Sequence, residues 1–231
     1  PFARGRSRSR TVAGTVSQVR NLVKAGYREV VLTGVHIGDY ADDGASLLHL
    51  LRAVEEVEGL DRFRVSSIEA AFIPDPLIDF LAVSRKFCRH LHVPLQSGDD
   101  RILSAMRRPY TSGRYRDLLA MLSERIPGIG LGADVMVGFP GEDDAAFENT
   151  RRLVEEGPLV YLHVFPYSTR QGTPAARMPG QVDPRVKASR AACLREIGAR
   201  KADEFRRRAL GETFDVLFEG RRDPVTGLLN G

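Results

Sequence analysis

Cysteine is scarce in this sequence, and long hydrophobic runs are missing. The two cysteines, Cys88 and Cys193, lie far apart in the 231 residues, which argues against a disulfide framework and against a short-spaced metal motif within the chain. Such thiol usage suits a reducing compartment, and we expect the protein in the cytoplasm. No apolar run approaches the roughly 20 residues that cross a bilayer, and no apolar segment follows the charged start as in a signal peptide. We therefore expect no membrane role.

The common catalytic motifs are absent as well. The sequence contains no Ser-His-Asp arrangement, no Walker-type phosphate loop and no HExxH motif. His36, His90, His92 and His163 share no metal-ligand spacing, so we predict structural or supporting roles for them and no metal site. Any chemistry then depends on a cofactor that the protein positions.

What the sequence does contain is a large apolar fraction and a basic excess. Apolar residues make up 42% of the chain, enough for the core of one large domain or of one domain plus a further piece. The formal net charge is +4 and the pI is about 9.3, which is compatible with a polyanionic partner such as nucleic acid. Such an excess is also common among plain soluble proteins, so charge alone leaves both interpretations open.

Helical and strand patterns alternate five times over the first 168 residues. The predicted helices lie at 11–25, 47–57, about 76–81, 115–122 and 143–155, and the predicted strands at 29–35, 62–69, 90–96, 128–139 and 161–168. Strict alternation implies parallel strands joined by helical crossovers. The fold class is therefore α/β: a barrel, a partial barrel or an open doubly wound sheet.

The two ends of the sequence differ from this pattern. The segment PFARGRSRSR precedes the first helix and holds four arginines in ten residues. Turn-forming residues at 169–184 predict a connection, which a strongly basic helix over 184–210 follows. ETFDVLFEG at 212–220 alternates like a half-buried strand. Because a lone strand is not a domain, we expect the chain to be cut short there.

Polar residues and glycines gather where the predicted strands end. These ends read GVHIGDY, SSIE, PLQSGDD, MVGFPGED and VFPYSTR. Functional groups of parallel α/β proteins lie at the carboxyl ends of the strands. Glycines there admit a ligand to the backbone, while Ser67, Glu69, Gln96 and Ser97 offer groups suited to ribose hydroxyls, an amino group or a carboxylate. The pattern predicts a site for a small polar ligand.

Structural explanations compete at the same positions. Residues 98–100 can start a helix, and GFPGED can be a turn followed by a helix N-cap. Glu69 can belong to a structural ion pair. Taken singly, each position leaves the functional and the structural interpretation open.

Six segments carry a family resemblance in their order and spacing. They are PFARGRSRSR, VVLTGVHIGDY, SSIE, HLHVPLQSGDDRILSAMRRPYT, GADVMVGFPGED and YLHVFPYSTRQGTPAARM. Together they resemble the radical S-adenosylmethionine methylthiotransferases over nearly the whole chain. Within that family the resemblance is strongest to the branch that methylthiolates threonylcarbamoyladenosine beside the anticodon of tRNA.

The resemblance implies a domain organisation. A partial (β/α)6 radical-SAM barrel that lacks its first strand would occupy 1–175, a linker and basic helix 176–210, and the first strand of a TRAM-like RNA-binding β-barrel domain 211–231. In the family, a C-x3-C-x2-C loop directly precedes the arginine-rich stretch and holds a 4Fe-4S cluster, and a domain with a second cluster lies further upstream. Neither cysteine here can replace those ligands, so we expect the clusters only in the full-length protein and an inactive fragment.

The resemblance also implies a reaction and its site. The reaction is reductive cleavage of S-adenosyl-L-methionine to a deoxyadenosyl radical, hydrogen abstraction from the adenine ring carbon, and insertion of a sulfur that carries a methyl group. By motif position, the cofactor-binding residues are Gly34, His36, Ser67, Glu69, Gln96, Ser97, Val137, Gly138 and Phe165. The first two would lie near the methionine moiety, the next two near its amino group or the ribose, and the last three around the adenine. The family often has asparagine at the position of His36.

The implied macromolecular partner is tRNA. Its expected contacts are Arg4, Arg6, Arg8, Arg10, Arg206, Arg207 and Arg208. We expect a monomer, and the sequence does not identify the reductant protein or the sulfur donor.

Three other functions stay open. One is methylthiotransfer to another tRNA adenosine or to a ribosomal protein. Another is a non-catalytic RNA-binding protein that contacts phosphates through RGRSRSR and the basic helix, although polar residues at five strand ends have no purpose in a pure phosphate binder. The third is an unrelated barrel enzyme such as an aldolase, for which no strand end offers a Schiff-base lysine.

Overall fold

In the computed structural model, five parallel strands alternate with helices, as the sequence predicts. The structure describes residues 7–220 and 222–229, so Arg4 and Arg6 lie outside it. The α-helices are α1 (Val12–Lys24), α2 (Leu47–Glu55), α3 (Asp75–Val83), α4 (Asp100–Ala105), α5 (Ser112–Arg125), α6 (Asp144–Glu156) and α7 (Pro184–Arg208). The strands are β1 (Glu29–Leu32), β2 (Ala41–Asp42), β3 (Ala45–Ser46), β4 (Arg62–Val65), β5 (His90–His92), β6 (Gly130–Val137) and β7 (Leu159–Pro166).

The parallel strands β1, β4, β5, β6 and β7 lie side by side in the order in which they occur in the chain. β1 pairs with β4, and β5, β6 and β7 form a three-stranded sheet, all in parallel register. A parallel bridge between Phe63 and Phe87, and a hydrogen bond from the Ile68 N–H to the His92 carbonyl (3.0 Å), link the two groups. The order is consistent with a partial radical-SAM barrel. Among the described residues, no helix is long and apolar enough to span a membrane.

Side chains along these strands alternate between two different surroundings. One face carries apolar residues such as Val30, Phe63, Leu91 and Val135, which form a single core with residues of all seven α-helices. We call the opposite face the polar face; its residues are Glu29, Arg62, Arg64, His90, His92, Asp134, Tyr161 and His163. The helices of the core thus cover one face of the sheet, and charged and aromatic groups lie on the other.

Helix starts follow the sequence closely because side-chain caps fix them. Asp99 accepts hydrogen bonds from the N–H groups of Arg101 and Ile102 (both 3.1 Å) at the start of α4. Asp143 accepts one from the Ala146 N–H (2.8 Å) at the start of α6. The structural interpretations of 98–100 and of GFPGED are thus confirmed.

The strand predicted over 212–220 is wrong for this chain. Its backbone has no ladder partner among the described residues, and Phe214, Val216 and Phe218 are exposed. Alternating hydrophobicity forms a strand only where a neighbour completes the hydrogen bonds. The predicted long strands also run two to four residues too far at their carboxyl ends.

A small hairpin was missed by the sequence analysis. Strands β2 and β3 pair antiparallel and are joined by Asp43 and Gly44, whose φ angles of 44° and 81° suit a two-residue turn. The Asp-Gly dipeptide is the local signal that could have identified it.

Candidate functional site

Residues 7–10 belong to the arginine-rich segment 1–10, which we call the basic arm. Together with the end of β1 they border a cavity of about 810 Å³. Its walls come from residues 7–10, α1, β1 and the turn that follows β1. Of the residues predicted from the sequence, Gly34 and His36 line this cavity, and so do Arg8 and Arg10. The structure therefore brings the expected methionine end of the cofactor site and the described part of the basic arm together.

The hairpin fixes this part of the arm. The Ser9 hydroxyl accepts a hydrogen bond from the Ala41 N–H (3.2 Å), and the Tyr40 hydroxyl donates to the Arg10 carbonyl (2.7 Å). Asp42 accepts from the first backbone N–H of α1 at 2.7 Å. Residues 9–12 are thus held beside the cavity, unlike a solvated tail.

Glu69 joins two basic side chains at the end of β4. Its Oε1 lies 2.5 Å from Arg108 and its Oε2 lies 3.3 Å from His36 Nε2, while its own side chain is only 15% exposed. The His36 ring also meets Phe72 edge-on, with centroids 4.5 Å apart. The structural ion pair considered for Glu69 is present, and sequence reasoning missed its partner Arg108.

Ser66, directly after β4, has a hydroxyl that forms no hydrogen bond with the described residues. Its Oγ is buried. The neighbouring Ser67 is exposed. A buried hydroxyl without a partner costs free energy, so a polar ligand group would be favourable there.

The predicted cofactor residues that follow β5, Gln96 and Ser97, serve mainly in packing. Ser97 is fully buried, its hydroxyl lies 3.4 Å from Thr150 Oγ1 of α6, and it accepts from the Asp99 N–H. Gln96 has a φ of 65°, and both its backbone N–H and its carbonyl form hydrogen bonds with the backbone of β6. The Ser97 hydroxyl is therefore directed into the contact with α6.

The three residues expected around the adenine lie in different surroundings. Val137 and Gly138 are buried, and the Gly138 N–H donates to Glu142 Oε1 at 2.7 Å. Phe165 lies 51% exposed on β7, opposite Met136. Only Phe165 presents a side chain that a ligand can reach.

A buried ion pair fixes the turn after β6 to α7. Arg190 contacts Glu142 Oε1 and Asp144 Oδ1, each at 2.7 Å, and the Glu142 side chain is fully buried. Burial raises the pKa of Glu142, while the Gly138 N–H and Arg190 oppose that rise. The pair therefore joins the turn after β6, which contains Gly138, to α7.

The polar face collects three of the histidines for which the sequence predicted structural roles. The Tyr161 hydroxyl lies 2.8 Å from His90 Nε2 and 3.1 Å from His92 Nδ1. Burial lowers the pKa of both His90 and His92. Asp134 and His163 complete the group beside His92. Sequence spacing could not reveal this cluster, since its members come from three strands.

The basic end of α7 is open to solvent. Arg206, Arg207 and Arg208 are exposed, and the first two approach Asp203 at 3.9 and 2.7 Å.

A second cavity of about 510 Å³ is lined by Arg107, Arg108 and Arg114 among others, and it was not predicted from the sequence.

The residues of this chain do not fit an iron-sulfur cluster. Three thiolates are needed, whereas the sequence has Cys88, which is buried before β5, and Cys193, which is half-buried on α7. Burial raises the pKa of Cys88, which favours the protonated thiol. For S-adenosylmethionine the fit is better, because the cavity and the exposed Gly34 offer space and backbone polar groups.

The chain is similar in sequence to several known proteins. Residues 1–154 match the Radical SAM superfamily. The chain is 43% identical over 222 residues to threonylcarbamoyladenosine tRNA methylthiotransferase MtaB of Bacillus subtilis (strain 168), covering 95% of this chain and 49% of that protein. It is 38% identical over 226 residues to tRNA-2-methylthio-N(6)-dimethylallyladenosine synthase of Alkaliphilus oremlandii (strain OhILAs), covering 95% and 47%.

Among solved structures, the fold is similar to apo OxsB, a cobalamin-dependent S-adenosylmethionine radical enzyme. The TM-score is 0.55 at 13% identity, over 86% of this chain and 27% of that one. The chain spans about half the length of the curated relatives it matches.

Proposed function

The chain belongs to the radical SAM superfamily, and from that premise we propose that the protein is a methylthiotransferase that modifies threonylcarbamoyladenosine beside the anticodon of tRNA. The observation that carries the proposal is the 43% identity, over 95% of this chain, to a methylthiotransferase named for that nucleoside. The superfamily uses S-adenosyl-L-methionine and 4Fe-4S clusters, and the cluster ligands would belong to other parts of the protein.

When bound with its cluster, S-adenosylmethionine supplies the radical chemistry. In our proposal, Gly34 and His36 hold the methionine end in the 810 Å³ cavity, and the Glu69 carboxylate receives the amino group or a ribose hydroxyl. Arg108 fixes the Glu69 carboxylate for this task. The rest of the proposed cofactor wall consists of Ser67, Gln96, Ser97, Val137, Gly138 and Phe165.

The tRNA surface would start at the same cavity. Arg8 and Arg10 line it, so a phosphate that they bind lies close to the proposed cofactor. Arg4 and Arg6 belong to the same segment, and Arg206, Arg207 and Arg208 would contact the RNA farther away. We also propose domain boundaries at residues 175 and 210, with a TRAM-like domain that begins at residue 211. The protein would be a cytoplasmic monomer.

A second candidate substrate has an observation in its favour. Dimethylallyladenosine occurs in the name of a relative at 38% identity, only slightly below the first. Both candidates share the chemistry of methylthiolating a tRNA adenosine, so the difference concerns the group on the adenine alone.

The proposed site is tested by S-adenosylmethionine cleavage in the full protein that contains this sequence. Purified without oxygen and given a reductant, it should form 5′-deoxyadenosine. Glu69→Gln should slow this about tenfold or more, because a hydrogen bond to a charged group is worth about 1.5–3 kcal/mol. Glu124→Gln, which makes the same replacement at an exposed position on α5, is the matched control and should retain the rate. No 5′-deoxyadenosine would contradict the function, and a normal rate in Glu69→Gln would contradict the site.

A further inference from the structure

Three potential metal ligands converge on the polar face, one from each of β5, β6 and β7. Asp134 Oδ1 lies 3.1 Å from His92 Nε2 and 3.3 Å from His163 Nδ1, and all three ligand atoms lie within 4.8 Å of one another. We propose that His92, Asp134 and His163 form a binding site for one divalent first-row transition ion. This site is independent of the proposed function, because it uses none of the residues assigned to S-adenosylmethionine.

The spacing suits such an ion. Nitrogen and oxygen ligands lie about 2.0–2.2 Å from Zn²⁺ or a similar ion, which places neighbouring ligand atoms roughly 3–3.5 Å apart. The two distances to Asp134 Oδ1 fall in that range. Among the described residues, no lysine or arginine is paired with any of the three side chains. A cation could therefore enter without displacing a competing charge.

A supporting layer orients the first ligand. The Tyr161 hydroxyl lies 3.1 Å from His92 Nδ1, which directs the other ring nitrogen toward Asp134. Tyr161 lies against Gly132, where an added Cβ would be 1.9 Å from the Tyr161 Cζ atom. Only glycine leaves room for this ring position. Metal-binding histidines typically have such a partner on the second nitrogen.

The site is closed on one side and open on the other. The His92 side chain is 9% exposed, that of Asp134 29% and that of His163 56%. Three protein ligands leave coordination positions for water or a substrate atom on the open side. Two imidazoles and one carboxylate with open positions favour Fe²⁺ or Zn²⁺ over Mg²⁺ or Ca²⁺.

Cobalt binding to the 231-residue chain tests the proposal. After treatment with a chelator, Co²⁺ should bind with a stoichiometry of one and produce visible d–d absorption, and Zn²⁺ should displace it. His163→Gln and Asp134→Asn should each weaken binding at least about tenfold, and Tyr161→Phe about tenfold through the lost orientation of His92. His49→Ala, which removes a histidine on α2, should leave the affinity unchanged.

Thermal unfolding separates a metal site from a purely hydrogen-bonded cluster. Zn²⁺ should raise the Tm of the unaltered chain and of His49→Ala, but not that of His163→Gln. Because His163 is half-exposed, its replacement should not prevent folding. The proposal is overturned if Co²⁺ does not bind, if binding survives both His163→Gln and Asp134→Asn, or if Zn²⁺ raises the Tm of His163→Gln equally.

Discussion

Two arginines of α7 show how burial decides the effect of an ion pair. The Arg190 side chain is 7% exposed against the fully buried Glu142, whereas the Arg200 side chain is 50% exposed beside Glu155. Removing one partner of a buried pair leaves an uncompensated charge in the interior. An exposed pair loses little, because water replaces the partner.

We therefore expect Arg190→Met to lower the free energy of unfolding by about 3–5 kcal/mol. Arg200→Met, the control on the same helix, should leave it nearly unchanged. Denaturant unfolding of both variants measures the difference. Equal stability of the two variants would show that the Glu142 pair does not hold α7 to the turn after β6.

At the same scale, the residues at and near the proposed cofactor site differ in what they offer. Glu69 is held by two basic groups, Gly34 offers backbone, and Ser66 has a hydroxyl without a partner. The Ser97 hydroxyl is instead engaged with α6. Hydroxyl and carboxylate groups at strand ends therefore differ in their hydrogen-bond partners, and only the folded structure shows which of them are already engaged.

At the scale of elements, the approach of the turn after β5 to α6 depends on one glycine. A Cβ at Gly98 would lie 2.6 Å from Thr150 Cα and 2.9 Å from the Asn149 carbonyl oxygen. Both neighbours are helix backbone, which cannot move aside cheaply. The Thr150 hydroxyl also accepts from the Gly98 N–H at 2.9 Å.

Gly98→Ala should accordingly lower the free energy of unfolding by about 1–3 kcal/mol, as overpacking does elsewhere. Gly113→Ala is the control, since it lies on α5 with its nearest neighbour 4.0 Å from the added carbon and should be neutral or slightly stabilising. Thermal unfolding of the pair checks this. A Gly98→Ala variant as stable as Gly113→Ala would contradict the close approach.

The elements were predictable from sequence to the extent that their signals are local. Periodicity and caps such as Asp143 identified the helices, and apolar runs identified the five long strands. Pairings between distant residues were not predictable, among them Arg108 with Glu69 and His92 with Asp134. Nothing in the sequence next to Glu69 indicates which arginine reaches it, because chain topology brings the two together.

The strand expected at 212–220 failed for the complementary reason. Its alternation is a local signal, but a strand also needs a neighbour to complete its hydrogen bonds, and the described residues provide none. The local pattern thus favours a strand, but the described residues provide no neighbouring strand to pair with it.

At the scale of the whole molecule, the helices of the core pack against one face of the sheet, and the polar face lies on the opposite side. The residues proposed to bind the cofactor lie at or near the strand ends, whereas the proposed metal ligands lie along β5, β6 and β7. The chain contributes this scaffold but only two cysteines, one buried and one on α7.

We expect the 231-residue chain to bind no stoichiometric 4Fe-4S cluster after anaerobic reconstitution, because three thiolates are required. Iron and sulfide analysis with visible absorption measures this, and iron bound without sulfide would report the proposed metal site instead. One cluster for each chain would contradict our assignment of the cluster ligands to other parts of the protein.

The most direct test of the proposed function is the nucleoside content of tRNA from a strain in which the gene has been disrupted. Mass spectrometry should show that 2-methylthio-threonylcarbamoyladenosine disappears, that threonylcarbamoyladenosine accumulates, and that the gene restores the original levels. Loss of the methylthiolated dimethylallyl nucleoside alone would favour the second substrate. Unchanged levels of both methylthiolated nucleosides would contradict the account.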